Sequence, residues 1–502
     1  MNISTDLEKD VDNTVDKAMQ AWHVPGLALV IVKDDKVLCS KGYGVRDMGK
    51  PEKVDEHTLF AIGSNTKAFT ATAIGLLVQE RKLAWDDPVT KYIPKFKLND
   101  PRATHLITIR DLLCHRSGLG TWAGDVLLLS SYSTEEVVRR LQHIQPEYSF
   151  RAGYGYSNLM FITAGLVIET VSGMSWDEFI LQRIFEPLGM TDSVTNPRFF
   201  GARTNIALPH EDIKGKLQTV VQREDVHVGA AGSICASVVD IALWLRMQLN
   251  NGGLDGKQLV EASIIEETHT PHTPIRLTAV ERKLFPSRHF SAYGLGWFLS
   301  DFHGRLTVRH TGGVDGMLSS VVLIPEEKLG IAIFTNKLPN AAYVLLSHYL
   351  LEKMISAPTQ DWIQIYNDLY KEENEKVEAA KKQRADSQSK DTLPSLALEK
   401  YAGEYDSIIL GGASLSVEGD ALSGEAVSKR SGLHIQLQAN KSISGTLEHW
   451  HYDTFLCKWD DPVLGESLIP FISDGQGQVA EFRVKIREDW IDPVEHVFKK
   501  IN

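Results

Sequence analysis

Ser64 and Lys67 stand three residues apart, directly after Gly63 and at the start of an apolar, helix-forming stretch that runs to Glu80. Positions i and i+3 share a helix face, so the lysine amine can reach the serine hydroxyl. A serine hydroxyl is a poor nucleophile at neutral pH unless a nearby base takes its proton. The helix N-terminus adds backbone N–H groups that stabilise an oxyanion. The pattern predicts a nucleophile activated by a buried, partly deprotonated lysine.

Ser-x-x-Lys is frequent by chance in a chain of 502 residues, and alone it indicates only a helix cap followed by a solvated lysine. Nucleophilic chemistry also needs a proton shuttle, an oxyanion hole and a strand that aligns the substrate. Tyr156, after a glycine-rich loop, is the candidate shuttle. A neighbouring lysine ammonium is expected to lower the pKa of its phenol, so that it can take the serine proton and return it to the leaving group. Asn158 has donor and acceptor groups to orient Lys67 and a substrate amide.

The segment His310-Thr311-Gly312-Gly313 ends a predicted strand. Glycine lets a substrate backbone approach closely, and an edge strand can pair with an extended substrate. The N–H of Gly313 is the predicted second oxyanion donor beside the N–H of Ser64. In isolation the same sequence indicates a strand-ending turn with an exposed histidine. Its functional interpretation therefore depends on the segments that contain Ser64 and Tyr156.

Taken together, the segments at positions 64, 156 and 310 resemble the serine β-lactamase and penicillin-binding-protein superfamily. They are most similar to its branch of class C β-lactamases, D-alanyl-D-alanine carboxypeptidases, D-aminopeptidases and related esterases, peptidase family S12. The resemblance implies that Ser64 is acylated, that Lys67 activates it and that Tyr156 serves as base and acid. It also implies that Asn158 and His310 line the site. Whether Lys67 or Tyr156 is the first base stays open.

His310 departs from the pattern of dedicated β-lactamases, which usually carry a lysine there. A permanent positive charge holds a substrate carboxylate, whereas histidine is largely neutral at pH 7. We therefore predict a serine hydrolase that acts through an acyl-enzyme on short peptides or amides. D-residue-containing substrates, of the D-aminopeptidase or carboxypeptidase type, are included. The alternatives are a β-lactamase or small-ester carboxylesterase and, from another class, a non-catalytic penicillin-binding-like protein that binds peptides or assembles into polymers.

The catalytic domain is predicted to span residues 1–358 and to have a mixed α/β (α+β) fold. Two apolar runs, residues 27–32 and 37–43, flank a polar turn and predict a β-hairpin. Three β-branched runs with short connections, between residues 306 and 335, predict an antiparallel meander. Residues 105–250 are predicted to form a helical insertion. The expected architecture is an antiparallel sheet of about five strands flanked by helices.

The C-terminal part has a different composition. Residues 359–394 are highly charged and are predicted to form a helical linker. Residues 395–502 alternate short strands with Gly and Asp/Asn turns, which predicts an all-β barrel or sandwich. The segments at residues 401–405 and 449–455 resemble the lipocalin-like C-terminal domain attached to some of these hydrolases.

Charge and hydropathy exclude several classes of partner. The net charge of −12, without a stripe of Lys and Arg, disfavours nucleic acid, and no run is long enough to span a bilayer. No signal peptide is recognisable, so we expect a cytoplasmic location, or a periplasmic or secreted one if a leader has been removed. The four scattered cysteines favour free thiols. We expect a small peptide, amide or ester substrate, no metal and no cofactor; a homo-oligomer is one option.

Overall fold

The computed structural model describes residues 5–213, 215–221, 228–418, 432–487 and 491–501. Within them, the N-terminal part is built on an eight-stranded sheet in which every neighbouring pair is antiparallel. Its strands are β1 (Gly26–Lys33), β2 (Lys36–Gly44), β3 (Thr273–Ile275), β4 (Ser291–Tyr293), β5 (Phe298–Phe302), β6 (Arg305–Val314), β7 (Met317–Ile324) and β8 (Leu329–Thr335). Their order across the sheet is β2-β1-β8-β7-β6-β5-β4-β3.

The predicted fold class is confirmed, and so are the first hairpin (β1 and β2) and the late meander (β6 to β8). The sheet extends three strands beyond the five expected. Strands β3 and β4 have three residues each, and β3 contains a proline, so neither shows a readable alternation of apolar and polar residues. They are held in the sheet by their neighbours rather than by their own pattern, because β4 pairs with β5 and β3 pairs with β4.

Helices cover both faces of the sheet. The longer ones are α1 (Thr5–Trp22), α2 (Thr66–Gln79), α3 (Asn158–Ser172), α4 (Val238–Leu249), α5 (Ala342–Met354) and α6 (Trp362–Asp386). Shorter helices lie at Val89–Tyr92, Pro101–Leu106, Ile109–Leu113, Thr134–Arg140, Trp176–Ile180, Glu186–Leu188, Gly229–Gly232, Ala262–Thr268, Ala279–Leu284 and Leu398–Tyr401. Short 3-10 or π segments lie at Gly63–Asn65, Asp125–Leu129, Leu141–His143, Leu181–Phe185, Pro197–Phe199, Pro325–Glu327 and Pro462–Leu464. Small strand pairs join Phe60–Ala61 to Cys235–Ala236, His210–Ile213 to Lys216–Thr219, and Gly253–Leu254 to Lys257–Gln258.

Strand β1 shows why its sequence is apolar throughout. Residues 28, 30 and 32 join the core under α2, α3 and α4, and residues 27, 29 and 31 join the core under α1 and α5. A strand that is buried on both faces has no solvent side, so its sequence is a continuous apolar run rather than an alternating one. The sheet therefore separates two hydrophobic layers, and the predicted helical insertion lies on the side of α2 and α3.

The C-terminal part is a closed eight-stranded barrel that follows the exposed helix α6. Its strands are β9 (Gly403–Ser407), β10 (Gly411–Glu418), β11 (Gly432–Leu437), β12 (Asn440–His451), β13 (Thr454–Trp459), β14 (Glu466–Ser473), β15 (Val479–Val484) and β16 (His496–Lys500). Each strand pairs with the next, and β16 pairs with β9 to close the barrel. The prediction of a small all-β barrel is confirmed.

The barrel packs on the helical insertion through hydrogen bonds between the two parts. Asn440 Nδ2 donates to the Leu129 carbonyl at 2.5 Å, and the N–H of Ser131 donates to the Ala439 carbonyl at 2.7 Å. The two parts therefore meet next to the short segment Asp125–Leu129.

No single helix in the described ranges is long and apolar enough to cross a membrane. One bent pair, Asn158–Ser172 with Trp176–Leu188, passes that test by length and composition when the two helices are taken together. Helix Asn158–Ser172 is α3, which lies in the core under the sheet.

Candidate active site

Ser64 lies in one 3-10 turn, Gly63–Asn65, that runs directly into α2. The turn is attached to the central sheet by Ser319 of β7, whose Oγ donates to the Ile62 carbonyl at 2.7 Å and accepts from Asn65 Nδ2 at 2.7 Å. Gly63 has a φ of +52°, which residues with a side chain rarely adopt. The glycine before the serine therefore makes the tight entry into α2.

Lys67 is fully buried, and its Nζ has three polar neighbours. It lies 2.9 Å from Ser64 Oγ, 2.6 Å from Asn158 Oδ1 and 2.8 Å from the Ala231 carbonyl oxygen. Burial lowers the pKa of the Lys67 amine to about 7, against the opposite effect of the Asp125 carboxyl. An amide oxygen and a carbonyl oxygen can only accept. In the neutral amine the two N–H groups therefore serve those oxygens, and the lone pair is left for the Ser64 hydroxyl.

Tyr156 lies in the loop before α3, beside both Ser64 and Lys67. Its ring centroid is 4.7 Å from Lys67 Nζ, and its phenol is in hydrogen-bonding contact with the Ser64 side chain. Burial raises the pKa of the Tyr156 phenol, although the contact with Ser64 acts in the lowering direction. The expectation that the lysine would lower this pKa is therefore wrong, because loss of hydration outweighs the effect of a lysine that is itself partly neutral.

Asn158, the first residue of α3, connects the lysine to a carboxyl group that sequence reasoning missed. Its Oδ1 accepts from Lys67, and its Nδ2 donates to Asp125 Oδ2 at 2.5 Å. Asp125 is buried, and burial raises the pKa of its carboxyl to about 8, with a smaller contribution from the charge of Asp492. The signal that could have found it is a lone acid beside the apolar run of residues 126–129.

His310 is buried inside β6, which continues to Val314, so the prediction that the strand ends at this segment is wrong. The strand continues because Gly312 and Gly313 pair with Ser319 and Leu318 of β7. His310 Nδ1 lies 2.6 Å from the Thr311 carbonyl oxygen, and its Nε2 lies 2.9 Å from the Tyr293 hydroxyl. A carbonyl only accepts, so Nδ1 carries the hydrogen. Burial lowers the pKa of His310 to about 3, and the ring is neutral at pH 7.

Strand β6 is an edge strand only in its second half. The pairing with β5 ends at Arg309, and in the described part of the chain residues 310–314 pair with β7 alone. This free edge passes the nucleophile turn at very short range. A Cβ on Gly312 would lie 1.9 Å from the Ile62 carbonyl oxygen, and a Cβ on Gly63 would lie 2.7 Å from the Gly313 nitrogen. Glycine at both positions therefore brings the Gly313 backbone next to Ser64, where two N–H groups can share one oxyanion.

A cavity of about 570 Å³ opens above these groups. Ser64, Tyr156, Asn158 and residues 310–313 line it together with mostly apolar side chains. The described lining residues include no lysine or arginine. The cavity can therefore hold a drug-sized apolar group beside a polar reaction centre.

One part of the wall and one group behind it come from segments that the sequence did not single out for the site. Ile491, in the connection before barrel strand β16, lines the cavity, and Asp492 Oδ1 accepts from the N–H of Gly124 at 3.1 Å. The ring of buried His115 packs 4.3 Å from the ring of Tyr156, and its Nδ1 accepts from the N–H of Ser157 at 3.1 Å. These contacts depend on tertiary structure, so no local pattern announces them.

Comparison with known proteins gives two family matches. The chain matches the family described as "Beta-lactamase" over residues 11–353 and a "Domain of unknown function (DUF3471)" over residues 387–498. It is 30% identical to the unguisins hydrolase ungD' of Aspergillus campestris over 425 residues, 80% of this chain and 76% of that protein. It is 29% identical to the unguisins hydrolase ungD of Aspergillus violaceofuscus, over 90% of this chain and 83% of that protein.

Protein flp of Staphylococcus aureus is 30% identical over 350 residues, 68% of this chain and 65% of that protein. Among solved structures, the octameric penicillin-binding protein homologue from Pyrococcus abyssi superposes with a TM-score of 0.64 and 22% identity. That superposition covers 98% of this chain and 99% of the other, so the two chains share a fold over nearly their whole length.

Proposed function

This chain belongs to the beta-lactamase family and is a serine hydrolase, and we propose that it cleaves short peptides or amides through an acyl-enzyme on Ser64. The observation that carries the proposal is the three-way contact of the Lys67 amine with Ser64, Asn158 and Ala231. Two of those neighbours can only accept hydrogen bonds, so the neutral amine directs its lone pair at the nucleophile. That is the arrangement that general-base activation of a serine requires.

We assign the first proton transfer to Lys67. Its pKa of about 7 leaves roughly half of the amine neutral at neutral pH, whereas the raised pKa of Tyr156 keeps the phenol protonated. Ser64 Oγ attacks the substrate carbonyl carbon while its proton moves to Lys67 Nζ. The phenol of Tyr156, in contact with Ser64, then relays a proton to the leaving nitrogen as the C–N bond breaks. A water molecule repeats the sequence on the ester and regenerates Ser64.

The oxyanion of each tetrahedral intermediate is assigned to the N–H groups of Ser64 and Gly313. The N–H of Ser64 lies in the turn that leads into α2, and the N–H of Gly313 lies on the free half of β6. The absence of side chains at Gly63 and Gly312 allows these two backbone segments to lie close together. The same edge, residues 310–314, can pair with an extended peptide and hold it across the serine, with Thr311 and Gly312 against its backbone. Removal of one oxyanion donor from a hydrolase typically costs about 10²–10³ in kcat.

The cavity chemistry favours an acyl group without a carboxylate. His310 is neutral, and no lysine or arginine stands among the described lining residues. A carboxylate placed there would lose its hydration without gaining a charged partner. This supports a peptide, amide or ester substrate that is neutral next to the scissile bond. It disfavours a β-lactam, or a carboxypeptidase substrate that places its free C-terminus beside His310.

Substrates with a D-residue remain part of the proposal because of the family resemblance. The two Aspergillus relatives are named as unguisins hydrolases, which is consistent with a hydrolytic activity for a chain of this kind. Self-association is also proposed, since the Pyrococcus structure with the same fold is described as octameric.

The decisive experiment compares kcat/KM on matched acyl substrates. The panel contains L- and D-aminoacyl p-nitroanilides, amide-capped and free-carboxylate dipeptides, p-nitrophenyl esters and nitrocefin. We expect amide-capped substrates to exceed their free-carboxylate partners by about tenfold or more. Nitrocefin turnover that equals the best peptide would favour the β-lactamase alternative, and equal rates for both enantiomers would remove the D-residue preference.

A fluorescent phosphonate separates the enzyme from the non-catalytic alternative. We expect the protein to be labelled and Ser64→Ala to be unlabelled, because only an activated hydroxyl attacks phosphorus at neutral pH. A Ser40→Ala variant serves as a matched control, since that hydroxyl lies on β2 outside the site. Absence of labelling in both the parent and Ser64→Ala would favour a peptide-binding protein.

A further inference from the structure

The barrel contacts the catalytic centre through a pair of acidic residues. Asp492, fully buried in the connection before β16, accepts from the N–H of Gly124 at 3.1 Å, and Gly124 immediately precedes Asp125. The other oxygen of Asp492 lies 3.0 Å from Nε2 of buried His496. Asp125 then accepts from Asn158 at 2.5 Å, and Asn158 accepts from Lys67 at 2.6 Å. The barrel is thus joined to the nucleophile by contacts between successive groups.

We propose that Asp125 and Asp492 are positioning residues of the catalytic centre, and that the barrel sets the working state of Lys67 through them. This inference rests on the proposed role of Lys67 as base. The side-chain amide of Asn158 has two orientations, and Asp125 selects the one that turns its Oδ1 toward the lysine. An ionised or protonated Asp125 presents a different charge to Lys67 across that same amide.

The hydrogen bonding of the Asp125 carboxyl group fits a positioning role. Its Oδ1 is buried and has no hydrogen-bond partner among the described residues, while its Oδ2 accepts from the amide of Asn158. A purely structural aspartate would have both oxygens satisfied, since an unpaired buried oxygen is costly. Protonation of Oδ1 removes the charge and with it most of that cost, and the nearby charge of Asp492 favours the protonated form.

Several titratable groups face Lys67 and Asp125 in the described part of the chain. Asp125 is the carboxyl whose charge acts on Lys67. The other titratable groups that face the pair are neutral at pH 7 and are Tyr156, His115 and His310. From the barrel, Asp492 with its partner His496 completes the set. The charge of the barrel is therefore transmitted to Lys67 by way of Asp125.

Two isosteric variants give shifts of opposite sign in the pH profile of kcat/KM. In Asp125→Asn the amide oxygen still accepts from Asn158, but the ionised fraction of Asp125, which raises the pKa of Lys67, is gone, so the acid limb moves to lower pH. In Asp492→Asn the acceptor for Gly124 is kept, while Asp125 ionises more readily and raises the pKa of Lys67. The acid limb then moves to higher pH. We expect a shift of about 0.5–1 pH unit for Asp492→Asn and a smaller one for Asp125→Asn, because Asp125 is already largely protonated near pH 7.

The design separates this inference from the proposed function. Limbs that do not move, or that move in the same direction in both variants, overturn the positioning role even if kcat falls. Asp492→Ser is the second test of the barrel arm if Asp492→Asn does not fold: it also removes the charge that acts on Asp125, and the limb moves to higher pH. The phosphonate reaction of Ser64 is scored independently, so a failure here leaves the acyl-enzyme assignment untouched.

A different observation points to an anion site on the opposite face of β6. The guanidinium of Arg309 has no hydrogen-bond acceptor and no carboxylate partner among the described residues, and its Nε is buried. It packs over the ring of Phe298 at 5.6 Å. Arg288, whose side chain is 4% exposed, lies 3.6 Å from the Glu281 carboxylate, and its Nε donates to the Asp301 carbonyl at 3.4 Å. The two guanidiniums share the charge of Glu281, and Asp301 acts on Arg288 as well, so Arg309 is the one without a carboxylate in direct contact in the described part of the chain. Burial of a guanidinium without a contacting acceptor or anion is costly.

Both arginines line a small cavity of about 20 Å³. The hydroxyl groups of Thr311, Ser320 and Ser347 and the ring of His348 complete its wall. A volume of this size holds one water molecule or one atom of similar size. We propose that the cavity binds a small anion, either a chloride ion from solution or one oxygen of a substrate carboxylate. Thr311 lines both this cavity and the active-site cavity, so either ligand would lie directly behind the wall of the site.

Halide substitution tests the site in the whole protein. We expect crystals grown in bromide to show an anomalous peak between Arg309 and Arg288. We also expect Tm to rise by about 2 °C when chloride replaces gluconate at equal ionic strength. Arg309→Met should abolish the chloride dependence, with Arg305→Met as the matched control, since Arg305 is paired with Glu327.

The two sources of the anion give different results. If the ligand is a substrate carboxylate, Arg309→Met raises KM for carboxylate-bearing substrates at least fivefold and leaves amide-capped substrates unchanged in chloride-free buffer. If it is chloride, both substrate classes respond alike. The proposal is overturned when bromide leaves no peak in the parent protein and neither Tm nor KM depends on the anion.

Discussion

The α-carbon of Gly312 faces the carbonyl oxygen of Ile62 so closely that a methyl group would lie 1.9 Å from that oxygen. No side chain therefore separates the strand from the turn that carries Ser64. The oxyanion donor on the strand and the nucleophile on the helix keep their spacing through this backbone contact and through Ser319, which binds the same carbonyl at 2.7 Å.

Gly312→Ala should push strand β6 away from the nucleophile turn. We expect kcat/KM to fall at least 100-fold and the free energy of unfolding to fall by about 1–3 kcal/mol, because a methyl group does not fit without a backbone shift. Steady-state kinetics and thermal unfolding measure both effects. Gly475→Ala, in the barrel with no atom within 4 Å of the added methyl, is the control. Parent-like activity in Gly312→Ala would contradict the geometry of the oxyanion hole.

The acid limb of kcat/KM should report the Lys67 amine, whose pKa is lowered to about 7. The lysine acts as a base only when it is neutral, so activity is present above this pKa and falls about tenfold for each pH unit below it. Lys67→Arg keeps a positive charge at every accessible pH and should be inactive throughout. A limb near pH 10 would mean that the amine is solvated and is not the base.

Tyr156→Phe removes the phenol but keeps the ring that packs on His115 and Lys67. We expect kcat on p-nitroanilides to fall about 10²–10⁴-fold, because the leaving nitrogen loses its proton donor. Activated p-nitrophenyl esters, whose leaving group needs no proton, should lose much less. A uniform loss on both substrate classes would instead place Tyr156 in the attack step.

His310→Lys should change the preference for charged substrates. The neutral ring has both nitrogens engaged, with Thr311 and with Tyr293, and offers no positive charge to the cavity. We expect the kcat/KM ratio of free-carboxylate to amide-capped substrates to rise about tenfold, and nitrocefin turnover to rise with it. His310→Gln, which is neutral and of similar size, should leave the ratio unchanged. The same gain in both variants would show that the charge is not the cause.

The local parts of the site could be predicted because they depend on short spacings. Ser64 and Lys67 share one helix face, and Gly312 and Gly313 mark a close backbone approach. Asp125 left a weak signal, an acid beside an apolar run, but its link to Asp492 could not be predicted, since that link depends on how the barrel packs on the insertion. The raised pKa of Tyr156 was missed for a similar reason: burial, which no spacing reveals, decides its direction.

For the fold, too, local patterns could be predicted from the sequence and features that depend on tertiary contacts could not. Strands with five or more apolar or β-branched residues, such as β1 and β7, could be predicted from pattern alone. Strands β3 and β4 could not, because three-residue strands exist only through their neighbours. His310 was placed at a strand end because two glycines follow it. Pairing with β7 carries the strand past them, and the histidine becomes an interior residue rather than an exposed one.

The attachment of the nucleophile turn to β7 has a consequence for the inactivation of the protein by heat or urea. The Ser64 hydroxyl belongs to the helical layer, and the Gly313 N–H belongs to the sheet. A small displacement of one layer relative to the other therefore abolishes catalysis while the secondary structure of each layer is still intact. Inactivation by heat or urea should then precede the loss of far-ultraviolet circular dichroism, and prompt cooling should restore turnover without refolding of either layer.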